Sequence, residues 1–113
     1  MHELSIAMSI VDIATKEAEK AGTDVVLEVD LDIGTMAGIE FESLEFALSV
    51  ATQGTLLEKT AFNINRIQAK AKCLDCNREF DIRDILSGCP GCDSPNIFLT
   101  SGKELRISSL LIE

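Results

Sequence analysis

Residues 73–92 read Cys73-Leu74-Asp75-Cys76, then twelve residues, then Cys89-Pro90-Gly91-Cys92. An ion held tetrahedrally by thiolates needs four sulfurs about 2.3 Å from one centre, and two Cys-x-x-Cys knuckles brought face to face supply them. Asn77, directly after the first pair, tolerates a left-handed backbone, and Pro90-Gly91 puts turn residues inside the second. The chain has four cysteines, so none is left over. The spacing predicts a structural Zn(Cys)4 site whose closed ligand shell braces the chain and does not catalyse.

Other readings of the quartet rank below zinc. An iron site of rubredoxin type uses the same ligands, and softness alone does not separate the two metals. Disulfides come last, because nothing points to secretion and cytosolic thiols stay reduced. A redox dithiol needs only one pair, near a strand-helix junction. Between Cys73 and about Leu99 the main apolar residues are Phe80, Ile82, Ile85, Leu86, Ile97 and Phe98. So few cannot fold a module alone, and metal binding, on the order of 10–16 kcal/mol in zinc-finger peptides, supplies the difference.

Outward from the knuckles the periodicity changes character. His2 to Ala21 is an amphipathic helix, with Leu4, Ala7, Met8, Val11, Ala14 and Ala18 at helical spacing and Ile6, Ile10 and Ile13 widening the stripe. Gly22 stops it. Asp24 to Ile33 alternates, with Val25, Leu27, Val29, Leu31 and Ile33 on one face and Glu28, Asp30 and Asp32 on the other. Phe41 to Thr52 is a second helix. Its apolar arc of Phe41, Leu44, Phe46, Ala47, Leu48, Val50 and Ala51 is wide enough to require cover on more than one side. Ala61 to Lys72 is a strand with a phase shift after Asn65-Arg66, read as a bulge. Its Gln68, Lys70 and Lys72 are placed to pair with the acids of the first strand. A turn at Thr100-Ser101-Gly102-Lys103 leads to a last strand, Glu104 to Ile112.

The expected fold is α+β: two helices packed on one face of a small three-stranded sheet, with an inserted zinc-ribbon-like module. Residues 1–72 plus 101–113 form the first domain and 73–100 the module. At 113 residues, 46% hydrophobic and without Trp or Tyr, the chain has enough apolar residues for one aliphatic core. A net charge of -9 repels phosphate backbones, so no nucleic-acid partner is expected. Glu3 and the lack of a basic run before an apolar core argue against a signal peptide. No apolar stretch approaches the roughly 20 residues of a membrane span. The expectation is a cytoplasmic protein with no membrane partner.

His2 is the only histidine. A bulky second residue prevents removal of the initiator methionine, so the Met1 amine, the His2 amide nitrogen and the His2 imidazole can close fused chelate rings on one cation. A fourth donor from the backbone amide or carboxylate of Glu3 completes a square-planar, nitrogen-rich site, the geometry of Ni(II) and Cu(II). Such an exposed site suits delivery. The plainer reading makes Glu3 an acid complementing a helix N-terminus and His2 an exposed helix-start residue.

Met1-His2-Glu3-Leu4-Ser5 before an amphipathic helix resembles the start of HypA, the nickel metallochaperone family of [NiFe]-hydrogenase maturation. Similar to that family are also Asp32-Ile33-Gly34 through Gly38-Ile39-Glu40, Ser43-Leu44-Glu45-Phe46-Ala47, both Cys-x-x-Cys pairs, and Gly102-Lys103-Glu104-Leu105-Arg106-Ile107 with Ser109-Leu110. The resemblance implies Ni(II) as transient cargo on Met1, His2 and Glu3, with Glu40 a weaker accessory, and structural Zn(II) on Cys73, Cys76, Cys89 and Cys92. It implies a HypB-type GTPase partner and the [NiFe]-hydrogenase large subunit as client, urease being served by some relatives, and a monomer or weak dimer. No histidine flanks the knuckles, so the resemblance gives the zinc site no nickel role. The competing function is a zinc-ribbon interaction scaffold whose N-terminus is inert. An enzyme is not expected: no nucleophile–base pair or phosphate-cradling glycine loop is present.

Overall fold

A computed structural model of the chain describes residues 3–113, apart from the side chain of Ile85. The elements run α1 (Glu3–Lys20), β1 (Val26–Gly34), α2 (Phe41–Ala51), β2 (Ala61–Ile67), β3 (Lys70–Cys73), β4 (Glu79–Asp81), a 3-10 turn (Ile85–Ser87), β5 (Ile97–Ser101) and β6 (Leu105–Ile112). The architecture is α+β, with two helices and two three-stranded sheets ordered β2-β1-β6 and β4-β3-β5. Two compact units result. The first comprises Met1–Leu31, Ile39–Asn65 and Arg106–Glu113; the second comprises Asp32–Gly38 and Arg66–Leu105.

In the first unit, α1 carries Glu3 in its first turn and Lys20 in its last, each complementing the helix dipole. It ends where Gly22 adopts φ 74° and the amides of Gly22 and Thr23 bond back to the carbonyls of Glu19 and Ala18, a Schellman closure. The buried stripe is Ile6, Ala7, Ile10, Ala14 and Ala18. Leu4, Met8 and Ile13, expected within the stripe, are exposed. Eighteen residues at 3.6 per turn offer several apolar stripes, and periodicity does not say which one is covered.

The same correction applies to α2. Leu44, Ala47 and Leu48 are buried, while Phe46 and Val50, expected within the covered arc, face solvent. In β1, Val29 and Leu31 are buried as expected, but Val25 and Leu27 are exposed and Val26 is buried instead. Three positions separate Val26 from Val29, so the strict period of two breaks at Leu27-Glu28. Glu28 and Asp30 of β1 meet uncharged partners. The Asn63 side-chain amide donates to Glu28 at 3.0 Å and Asp30 at 2.8 Å, and the Ser109 hydroxyl donates to Asp30 at 2.7 Å.

Lys70 and Lys72, expected opposite those acids, sit on β3 in the other sheet, where they stand in register with Asp81 and Glu79 of β4. The expected single strand over 61–72 is therefore two strands. A change of sheet at Gln68-Ala69 follows its phase shift, and a register shift does occur, between Lys70 and Ala71 where β3 pairs with β5; local alternation cannot distinguish a bulge from a new set of partners. Ala69 N–H donates to the Thr35 hydroxyl at 2.9 Å and its carbonyl accepts from Ile82 N–H at 3.0 Å.

The second unit has a small core of Ala69, Ala71 and Ile82, flanked by half-buried Met36, Phe80, Ile97 and Leu99. Leu86 and Phe98, counted among its apolar residues from sequence, are exposed, and the side chain of Ile85 lies outside the described residues. Here three backbone segments come very close. Gly34 N–H donates to the Glu104 carbonyl and Met36 N–H to the Gly102 carbonyl, both at 2.8 Å. A Cβ on Gly34 would lie 1.9 Å from the Gly102 oxygen, and one on Gly102 would lie 2.4 Å from the Ala69 Cβ.

Candidate metal centre

The centre is assembled by two turns built to one plan. In the first, Cys73 N–H donates to the Arg78 carbonyl at 2.9 Å and Asn77 N–H to the Cys73 carbonyl at 2.9 Å; in the second, Cys89 N–H donates to the Ser94 carbonyl at 2.9 Å and Asp93 N–H to the Cys89 carbonyl at 2.8 Å. Asn77 and Asp93 take the left-handed conformation, at φ 61° and 60°. Short polar side chains are the ones that tolerate it. Asn77 is thus where the sequence put it, but its counterpart is Asp93, not Gly91. The signal was present: an Asn or Asp follows each Cys-x-x-Cys. Gly91 has a different task, since Arg78 lies across it and a Cβ there would come 2.9 Å from Nη1.

Backbone amides also point at the sulfurs. Cys76 N–H donates to the Cys73 Sγ and Gly91 N–H to the Cys89 Sγ, each at 3.4 Å. Asp75 links the two knuckles, because its carboxylate accepts from the hydroxyl of Ser94 and from the Asn96 side-chain amide. Sequence reasoning missed this bridge.

All four cysteines converge. Their sulfurs lie within 4.8 Å of one another, and Cys73–Cys92 and Cys76–Cys89 are each 3.6 Å apart. That is far beyond a disulfide bond of about 2.05 Å and close to the roughly 3.8 Å edge of a tetrahedron with 2.3 Å metal–sulfur bonds. Cys73 and Cys89 are buried, Cys76 and Cys92 exposed.

The electrostatics of the four sulfurs suit a cation at their centre. Burial pushes the Cys89 thiol up, but the amides of Gly91 and Cys92 and the neighbouring sulfurs outweigh it and hold the group at about 7. The Ser94 amide pulls Cys92 down, yet Cys73, burial, Cys76 and Cys89 together push it up to about 12. Cys76 is raised as well, the pull of the Arg78 amide being outweighed by Cys89, burial and Cys73. Four thiolates cannot ionise side by side, and a divalent ion at their centre removes the conflict. The donor set suits a structural, four-coordinate metal. Among the described residues it is the one such cluster of Cys, His and acidic side chains.

Of the expected N-terminal claw, Met1 and His2 lie outside the described residues. Glu3 opens α1, and its carboxylate accepts the backbone N–H of Glu40 at 3.2 Å. Glu40 is the N-cap of α2 and its own side chain makes no capping bond, so Glu3 supplies an anion at the head of that helix. No helix among the described residues is long and apolar enough to cross a membrane.

The chain is similar to known proteins along its whole length. A family model described as "Hydrogenase/urease nickel incorporation, metallochaperone, hypA" matches residues 1–112. Hydrogenase maturation factor HypA of Parabacteroides distasonis is 42% identical over 113 residues, covering 100% of this chain and 98% of that protein. Hydrogenase maturation factor HybF of Klebsiella pneumoniae is 38% identical over 110 residues, covering 97% of each. Among solved structures, the solution structure of the Ni metallochaperone HypA from Helicobacter pylori superposes with a TM-score of 0.69 at 24% identity, covering 99% of this chain and 97% of that one. That likeness establishes a shared fold.

Proposed function

The chain belongs to the HypA family of nickel metallochaperones for hydrogenase maturation, and we propose that it carries Ni(II) on its first three residues while a separate Zn(II) holds the Cys73, Cys76, Cys89 and Cys92 cluster. The observation that carries this reading is the family match across residues 1–112, which takes in the Met1-His2-Glu3 start. The chemistry of the two donor sets agrees with it. A four-thiolate shell is saturated and leaves no position for an ion that must be handed on. The Met1 amine, the His2 amide and the His2 imidazole offer the nitrogen donors that square-planar Ni(II) prefers.

The fourth donor in this reading is the backbone amide of Glu3. Its carboxylate is already engaged by the Glu40 amide. Glu40, one residue before α2, is an accessory acid. The protein acts as a carrier in the cytoplasm, not as a catalyst, and as a monomer or weak dimer. A HypB-type GTPase is its partner and the [NiFe]-hydrogenase large subunit its client. Urease, paired with hydrogenase in the family description, is the second client to assay.

Nickel titration of the untagged, zinc-loaded protein tests the reading. One diamagnetic Ni(II) per chain is expected, lost in His2→Ala and lost when residues are added ahead of Met1. Glu3→Ala should keep the site and Glu3→Pro remove it, proline being tolerated at the first helical position. Equal binding by wild type and His2→Ala is the scaffold outcome and overturns the proposal, as does spectroscopy placing nickel among the sulfurs.

A further inference from the structure

The first unit exposes an apolar surface that shares only Glu3 with the proposed nickel site. α1 and α2 pack against one another, and between them runs a groove of about 290 Å³ lined by Glu3, Leu4, Ser43, Phe46, Ala47 and Val50. Leu4 is 49% exposed, Phe46 71% and Val50 45%, and Met8, one turn beyond Leu4 on α1, is 60% exposed. Each helix thus presents a pair of large apolar side chains at i and i+4, which stand one above the other on a helix face. Two such ridges with a furrow between them have the form that accepts a third helix. The volume falls at the lower limit of small-molecule sites, which enclose about 300–1,000 Å³, so side chains of a macromolecule fit it better than a free ligand.

Charge selects the occupant. The first unit holds twelve acidic residues against four basic ones, whereas the second holds seven against six. Glu3 lies in the groove, Glu42 stands one turn before Phe46, and Asp12 stands one turn after Met8, where it is paired with Lys16 at 3.0 Å. A second copy of this chain would bring one acidic unit against another, and like charges across an interface are unfavourable. A partner with basic residues flanking an apolar stripe meets both features at once.

We propose that the α1–α2 groove docks an amphipathic, lysine- or arginine-rimmed helix of a partner protein, with Phe46 and Val50 as its anchors. α2 has 11 residues, about 16 Å of helix, so roughly three turns of the partner are engaged. The surface involves no metal ligand except Glu3 at its edge, and it stands or falls independently of the nickel reading.

The test uses the full zinc-loaded chain without nickel and a fluorescein-labelled synthetic helix of about 16 residues, with leucines at i, i+3, i+4 and i+7 and lysines elsewhere. Fluorescence anisotropy should show saturable binding that weakens with salt. Phe46→Ser and Val50→Ser, both at exposed positions whose folding is checked by circular dichroism, should each weaken it roughly tenfold or more, as loss of an interface anchor does. An isomer rimmed with glutamate, and a scrambled peptide of the lysine composition without the apolar stripe, should bind poorly. Unchanged affinity in both serine variants overturns the proposal. So does equal binding of the scrambled or glutamate-rimmed peptide, and so does self-association in sedimentation velocity that Phe46→Ser abolishes, which would make the occupant a second copy.

Discussion

Replacing Gly34 by alanine should destabilise the second unit by several kcal/mol, although Gly→Ala in a strand is ordinarily favourable by about 0.5–1 kcal/mol. The reversal of sign comes from what the new methyl meets. It would lie 1.9 Å from the Gly102 oxygen, 2.0 Å from the Gly102 carbonyl carbon and 2.6 Å from the Lys103 nitrogen, where real Cβ contacts essentially never fall under 3.0 Å. These are main-chain atoms, so no rotamer change relieves them and the two segments must part by about 1 Å in a close-packed interior. Parting them weakens the Gly34-to-Glu104 and Met36-to-Gly102 hydrogen bonds, both 2.8 Å, each worth about 1 kcal/mol net. Overpacking itself costs about 1–3 kcal/mol, for a total on the order of 3–5 kcal/mol. Urea denaturation of zinc-loaded wild type and variant measures it, and the melting temperature should drop by roughly 10–20 °C. A variant within about 1 kcal/mol of wild type, the size of an unremarkable substitution, would refute the close approach. Both glycines fall in stretches that resemble the family, and this contact is a physical reason for them to be glycine.

Two further outcomes follow from the same structure. Cys73→Ala, or zinc removal by a chelator, should melt the β4-β3-β5 sheet, whose small core is Ala69, Ala71 and Ile82 with half-buried Met36, Phe80, Ile97 and Leu99 against it, while far-UV circular dichroism still reports α1 and α2; loss of the whole helical signal on mild chelation would count against it. Hydrogen bonds from Asn63 and Ser109 hold the Asp30 carboxyl below the ordinary 3.8. Its folded value therefore lies under its unfolded one, and its contribution to stability is present above the unfolded value and lost as the pH falls through the folded one. Asn63→Ala with Ser109→Ala should raise the Asp30 midpoint in an NMR titration toward 3.8, and an unmoved midpoint would show that these bonds do not set it.

The residues themselves determined the α+β class, the positions of both helices and the gathering of Cys73, Cys76, Cys89 and Cys92. Helical periodicity is local, and the knuckle ligands lie close along the chain, so chelate spacing carries the site in the primary order of residues. The meeting of Gly34, Gly102 and Ala69 was not legible, because those residues are far apart in sequence and nothing local marks where backbones touch. For the same reason the passage of the chain from one sheet to the other at Gln68-Ala69 resembled a bulge, and the acids expected to meet Lys70 and Lys72 stood on the wrong strand. The apolar arc of α2 was legible as apolar, but only the tertiary structure decided that Leu44, Ala47 and Leu48 are covered while Phe46 and Val50 remain in water. A pattern of side chains states what each face of an element is made of, and which face is covered depends on partners that only folding brings alongside.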